Sequence, residues 1–88
     1  MKELNETVAP MTSPDYKERF RAEYFQLRIR YQKLRKMVEQ WDNGELDFTP
    51  TCPRATYDLQ LKYMKGYLGI LQIRAQMEGV DVSTDDAE

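Results

Sequence analysis

FRAEYFQLRIRYQKLRKMVEQW, residues 20–41, decides the fold. Phe20, Tyr24, Leu27, Tyr31, Leu34, Val38 and Trp41 recur there at alternating steps of four and three, the period that keeps side chains on one seam of an α-helix. Tyr57, Leu61, Met64, Leu68, Leu71 and Ala75 repeat the rhythm beyond an interruption rich in Gly and Pro. The pattern predicts an all-α chain with two long helices.

Ser13-Pro14-Asp15 reads as the first helix start: serine can accept from a free amide, proline forfeits no needed donor, and aspartate complements the positive terminus. The first helix is expected over 14–42, roughly 43 Å long, with Asn43-Gly44 supplying the stop. Pro50 and Pro53 prevent its continuation, so 43–52 reads as a loop and 53–78 as the second helix, capped at Thr51 or Cys52 and stopped by Gly79. Two helices of similar length with a loop between them predict an antiparallel two-helix hairpin over 13–79. Leu46 and Phe48 are expected to fold back over Trp41 and Tyr57. Residues 1–12 lack a period and read as a flexible amino-terminal arm, and 80–88 as a frayed acidic tail.

Composition narrows the chemistry. The chain has no histidine and a single cysteine, Cys52, which excludes an intrachain disulfide, zinc sites of the His/Cys type and imidazole-based catalysis. Carboxylates are scattered along the first helix beside basic residues, so no metal site, cofactor or catalytic residue is expected. A small helical enzyme is the least favoured reading. Charged residues make up 32% of the chain and no apolar run reaches the length of a membrane span, so no membrane partner is expected; without a signal-peptide pattern at the amino end, the expected location is the cytoplasm.

The second helix carries a further apolar line, Leu59, Tyr63, Gly66, Ile70, Ile73 and Met77, again at steps of four and three. Each member stands two residues beyond a member of the first line, which sets the two lines about 200° apart. Ala22, Phe25 and Ile29 form a shorter counterpart on the first helix. A hairpin covers only one of these faces. Homo-oligomerisation through Phe25, Ile29, Tyr63, Gly66, Ile70, Ile73 and Met77 is therefore expected, against the alternative that the arm and loop cover both patches in a monomer.

Net charge is −2, yet residues 17–36 carry +6. Arg21, Arg28 and Arg35 recur every seven residues beside the seam, with Tyr24 and Tyr31 between them. Guanidinium groups fork onto phosphate oxygens and stack on bases, and tyrosine stacks and donates, so Arg21, Tyr24, Arg28 and Tyr31 suit a phosphate-bearing nucleotide. The competing role for the arginines is to cover apolar stems and pair with acids on a neighbouring helix. Duplex nucleic acid is not expected, since the cationic stripe is confined to one helix of an acidic chain. Arg74 has two open roles, convergence on a polyanion around an oligomer axis or pairing with Glu78 four residues on.

With its double-seamed second helix and the Ile73-Arg74-Ala75 step, the chain resembles small phage anti-defence proteins that share a helical hairpin. Trp41-Asp42-Asn43-Gly44 and Leu46-Asp47-Phe48-Thr49-Pro50-Thr51-Cys52-Pro53 resemble a set of crAss-phage-related small proteins. The resemblance implies non-enzymatic sequestration: anti-CBASS and anti-Thoeris oligomers bind cyclic oligonucleotides or cyclic ADP-ribose-type signals and keep effectors inactive. It assigns the ligand-binding arginine of the family's last helix to Arg74. The first twelve residues do not match the amino-terminal element with which several such proteins hold dinucleotides. The alternative function is a structural or adaptor module whose exposed seam docks onto a partner protein.

Overall fold

The computed structural model describes residues 1–83, so Asp85, Asp86 and Glu88 of the expected tail lie outside the described residues. Among the described residues every regular element is helical. A 3₁₀ turn, Leu4–Thr7, leads into the short helix α1, Val8–Met11; the two long helices are α2, Tyr16–Asp42, and α3, Arg54–Glu78.

The start of α2 differs by two residues from the expected one. Asp15 rather than Ser13 is the cap, its carboxylate accepting from the Lys17 amide at 2.9 Å, and Ser13 instead accepts from the Asp15 amide at 3.1 Å. Pro14 therefore lies in the approach to the helix. Gly44 beyond α2 and Gly79 beyond α3 both adopt the left-handed conformation, at φ 71° and 68°. Pro53, expected to open the second helix, is its cap.

Contacts between α2 and α3 join opposite ends. Trp41 meets Tyr57 edge to face at 5.8 Å, Tyr24 meets Gln72, and Arg74 lies over the Phe20 ring. Phe20, Tyr24, Phe25, Leu68, Leu71, Ala75 and Val80 make one buried cluster, with Leu27, Tyr31 and Val82 packed against it. Most of these belong to the two seams, because a 4, 3 rhythm on each helix lets the helices interlock along their length. Phe48 departs from expectation: it is exposed rather than folded over the turn, where Trp41 and Tyr57 already cover each other.

The amino-terminal segment is a correction to the expected flexible arm. The Glu6 carboxylate accepts from the amides of Glu3 and Lys2 at 3.0 and 3.2 Å, and the Thr7 hydroxyl, fully buried, donates to the Leu4 carbonyl at 2.6 Å. This local capping holds the 3₁₀ turn. The segment then lies along α2: the Gln26 amide donates to the Met11 sulfur at 3.0 Å, and Lys33 approaches Glu3 at 3.9 Å. Beneath it Ala22, Phe25 and Ile29 are 0%, 1% and 5% exposed. Phe25 and Ile29 therefore belong to the interior of this chain, and their expected place in an oligomer interface is corrected. The opposite face of α3 stays bare.

Candidate functional site

A cleft of about 590 Å³ opens where α2, α3 and the chain beyond α3 meet. Tyr24 and Arg28 line it from α2, Gln72, Ala75 and Gln76 from α3, and Val80–Ser83 closes one side as a strap. One turn of helix separates Tyr24 from Arg28, so both project onto the same side of α2. The Tyr24 ring is buried, set at 83° to the Phe25 ring, and its hydroxyl accepts from the Gln72 amide at 3.3 Å. Burial fixes the ring and leaves its polar tip towards the cleft.

The strap owes its position to the end of α3. Gly79 reverses the backbone in the left-handed conformation, the Val80 amide donates to the Ala75 carbonyl at 2.9 Å, and the Val80 side chain is buried in the main cluster. This is a Schellman closure with its apolar contact. The strap then places Asp81 at the cleft. Hydrogen bonds from the Ser83 hydroxyl and amide, at 2.5 and 2.9 Å, hold the Asp81 carboxyl below its ordinary pKa, with Arg21 adding favourable charge. Burial of Val80 corrects the reading of a tail frayed from residue 80.

The five residues expected to touch a ligand are distributed over four places. Tyr24 and Arg28 share the cleft. Arg21 sits 5.4 Å over the Phe25 ring and lines a smaller hollow of about 290 Å³ with Met1, Ala9, Pro10 and Glu18. Tyr31 lies outside both, partly buried, with Arg35 5.9 Å from its ring. Arg74 is on another side of α3, 4.8 Å over the Phe20 ring, with its Nε donating to Glu78 at 3.0 Å. The regular heptad of arginines is thus split: Arg21 stacks on Phe25, Arg35 on Tyr31, and Arg28 lines the cleft. Gln72, Gln76, Asp81 and Ser83 escaped sequence reasoning; the Gly79-Val80 step after the last helix was the signal for the strap that carries the latter two.

Among the described residues no group of His, Cys, Asp and Glu could hold a metal ion. No helix of the described residues is long and apolar enough to cross a membrane.

The model of the Sequestin family matches residues 14–77. The chain belongs to the Sequestin family. The match takes in α2 and nearly all of α3, and with them Tyr24, Arg28, Gln72, Ala75 and Gln76, whereas the Leu4–Met11 segment and the strap lie outside the Sequestin match. The family name suggests a sequestering function. No curated protein and no solved structure matches the chain.

Proposed function

We propose that the protein is a non-enzymatic phage anti-defence protein that sequesters a cyclic nucleotide immune signal, of the cyclic oligonucleotide or cyclic ADP-ribose type, in the cytoplasm of an infected bacterial host. It acts as a homo-oligomer built from antiparallel helical hairpins. The observation that carries this reading is the pairing of Tyr24 and Arg28 in one cleft with two side-chain amides and a serine hydroxyl. Its volume of about 590 Å³ falls in the range of small-molecule sites, about 300–1,000 Å³. Membership of a family named for sequestration supports holding rather than converting the ligand.

Each group has a task in this reading. Arg28 forks onto phosphate oxygens and the Tyr24 hydroxyl donates to the ligand. Gln72, Gln76 and Ser83 satisfy ribose hydroxyls or base edges. Asp81, ionised, repels phosphate and so turns the phosphates towards Arg28 and the N–H groups of a base towards itself. Arg21 adds charge beside the strap. Arg74 and Tyr31, outside the cleft, touch only a ligand that extends beyond it.

Thermal shift with cyclic di- and trinucleotides and cyclic ADP-ribose isomers tests the reading. Ligand at about a hundred times Kd stabilises the folded chain by about 2.7 kcal/mol, a clear rise in Tm. The ligand should be recovered chemically unchanged. No shift with any of the set would sink the proposal, and steady release of an altered nucleotide would replace it with an enzymatic one.

The bare face of α3 favours a second reading, an adaptor that docks on a partner protein. Under it Arg28→Ala leaves function intact, while Ile70→Asp and Ile73→Asp abolish it.

A further inference from the structure

Leu59, Tyr63, Ile70, Ile73 and Met77 are each more than half exposed, and with Gly66 they form a continuous apolar line about 27 Å long on the side of α3 turned away from α2. Tyr63, Gly66 and Ile70 also line a shallow groove with Lys62 and Tyr67. The Leu4–Met11 segment, which buries the second patch of α2, leaves this face uncovered.

The order of residues along the line says what fits it. The steps 4, 3, 4, 3, 4 read the same in both directions, so a second α3 laid antiparallel sets Leu59 against Met77, Tyr63 against Ile73 and Gly66 against Ile70. Every large side chain finds another apolar one, and Ile70 enters the gap over Gly66. A parallel pair would instead set Gly66 against itself and leave that gap unfilled. A Cβ at Gly66 or Gly69 would meet nothing within 4 Å, so no contact inside the chain calls for glycine at either position. Glycine is nonetheless the poorest helix former apart from proline, and close approach of another helix gives both a purpose. The flanks agree: antiparallel pairing brings Gln60 towards Arg74 and Lys62 towards Gln76, and Tyr67 and Gly69 towards their own copies. No two like charges face each other.

We propose that the protein is a twofold dimer in which the α3 helices of two copies pair antiparallel through this line, with the axis passing beside Tyr67 and Gly69. This specifies the assembly left open above and corrects the interface expected from sequence by removing Phe25 and Ile29. It also adds to the ligand site. Gln76 lines the Tyr24–Arg28 cleft, so Lys62 of the partner subunit comes to the rim of that cleft and supplies a second cation there.

Sedimentation without ligand separates this proposal from the ligand reading. Wild type should run at twice the 10.5 kDa chain mass at tens of micromolar, and Ile70→Asp as a monomer with unchanged helical circular dichroism. In a Cys52→Ser background, a mixture of Leu59→Cys and Met77→Cys proteins should form an intermolecular disulfide that neither forms alone, because like positions lie about 27 Å apart across the axis. A wild-type monomer, or Met77→Cys cross-linking only to itself, would overturn the antiparallel dimer. Once a ligand is known, Lys62→Ala should weaken its binding several-fold while leaving the dimer intact; unchanged binding would remove the shared rim.

Discussion

Arg54 and Asp42 clasp each other across the turn between the long helices, Nε to Oδ1 at 3.1 Å and Nη2 to Oδ2 at 3.0 Å. Arg54 also donates to Asp58 at 2.5 Å and lies 5.9 Å over the Trp41 ring. The fork is a property of guanidinium, so Arg54→Lys should lower Tm at neutral pH although charge is kept. Hydrogen bonds from Arg54 hold the Asp42 carboxyl below its ordinary pKa. A depressed folded-state value means stability present above the unfolded pKa and lost as pH falls through the folded one. The gap in Tm between Arg54→Lys and wild type should therefore close below about pH 3.9, measured by calorimetry across pH. A constant gap would assign the loss to the Trp41 contact instead.

Leu71 and Ile70 are neighbours in sequence with opposite fates, one 1% exposed and the other 58%. Leu71→Ala should cost about 2–5 kcal/mol in urea unfolding, because it leaves a cavity against Phe20, Tyr24 and Leu68. Ile70→Ala in dilute solution should stay within about 0.5 kcal/mol of wild type.

Removing residues 1–12 uncovers Ala22, Phe25 and Ile29. The shortened chain should bind anilinonaphthalene sulfonate and melt at a lower temperature while keeping most of its helical signal. Thr7→Val, which loses the 2.6 Å bond to Leu4 but keeps the shape, should give a smaller loss in the same direction.

At Gly79, φ 68° is hard for any residue with a Cβ, so Gly79→Ala should destabilise by roughly 1–2 kcal/mol. The strap should loosen with it. In wild type, Ser83 bonds to an Asp81 carboxylate whose pKa they depress. Those bonds are present above the ordinary aspartate pKa and lost as pH falls through the lowered one. The Ser83 amide resonance should follow that low-pH titration in wild type and become insensitive to it in Asp81→Asn.

Burial at Phe20, Tyr24, Val38, Leu68, Leu71 and Ala75 was legible because a helix turns a 4, 3 spacing directly into a face. The fold of Leu4–Met11 was not, because segments that short need, beside their local capping, the cover they make on Ala22, Phe25 and Ile29, a tertiary contact with no periodic trace. Phe48 misled because hydrophobicity alone does not place a loop side chain. In the candidate site, spacing put Tyr24 and Arg28 on one side of α2, but it also suggested a single ladder for Arg21, Arg28 and Arg35, of which Arg21 rests on Phe25, Arg35 on Tyr31, and Arg28 lines the cleft. Asp81 and Ser83 were hidden by their acidic, aperiodic context. Only the Gly79-Val80 step marked the place where the chain turns back.

That turn makes the length of α3 a gauge for the cleft. Val80 anchors at a fixed angular station on the helix, one step past Gly79, and each residue inserted or removed upstream rotates that station by about 100° and shifts it by about 1.5 Å. A single-residue deletion between Gln72 and Glu78, with every wall residue otherwise retained, would therefore swing Asp81 and Ser83 away from Tyr24. The dimension that preserves the cleft in this chain is therefore a count of residues in a helix.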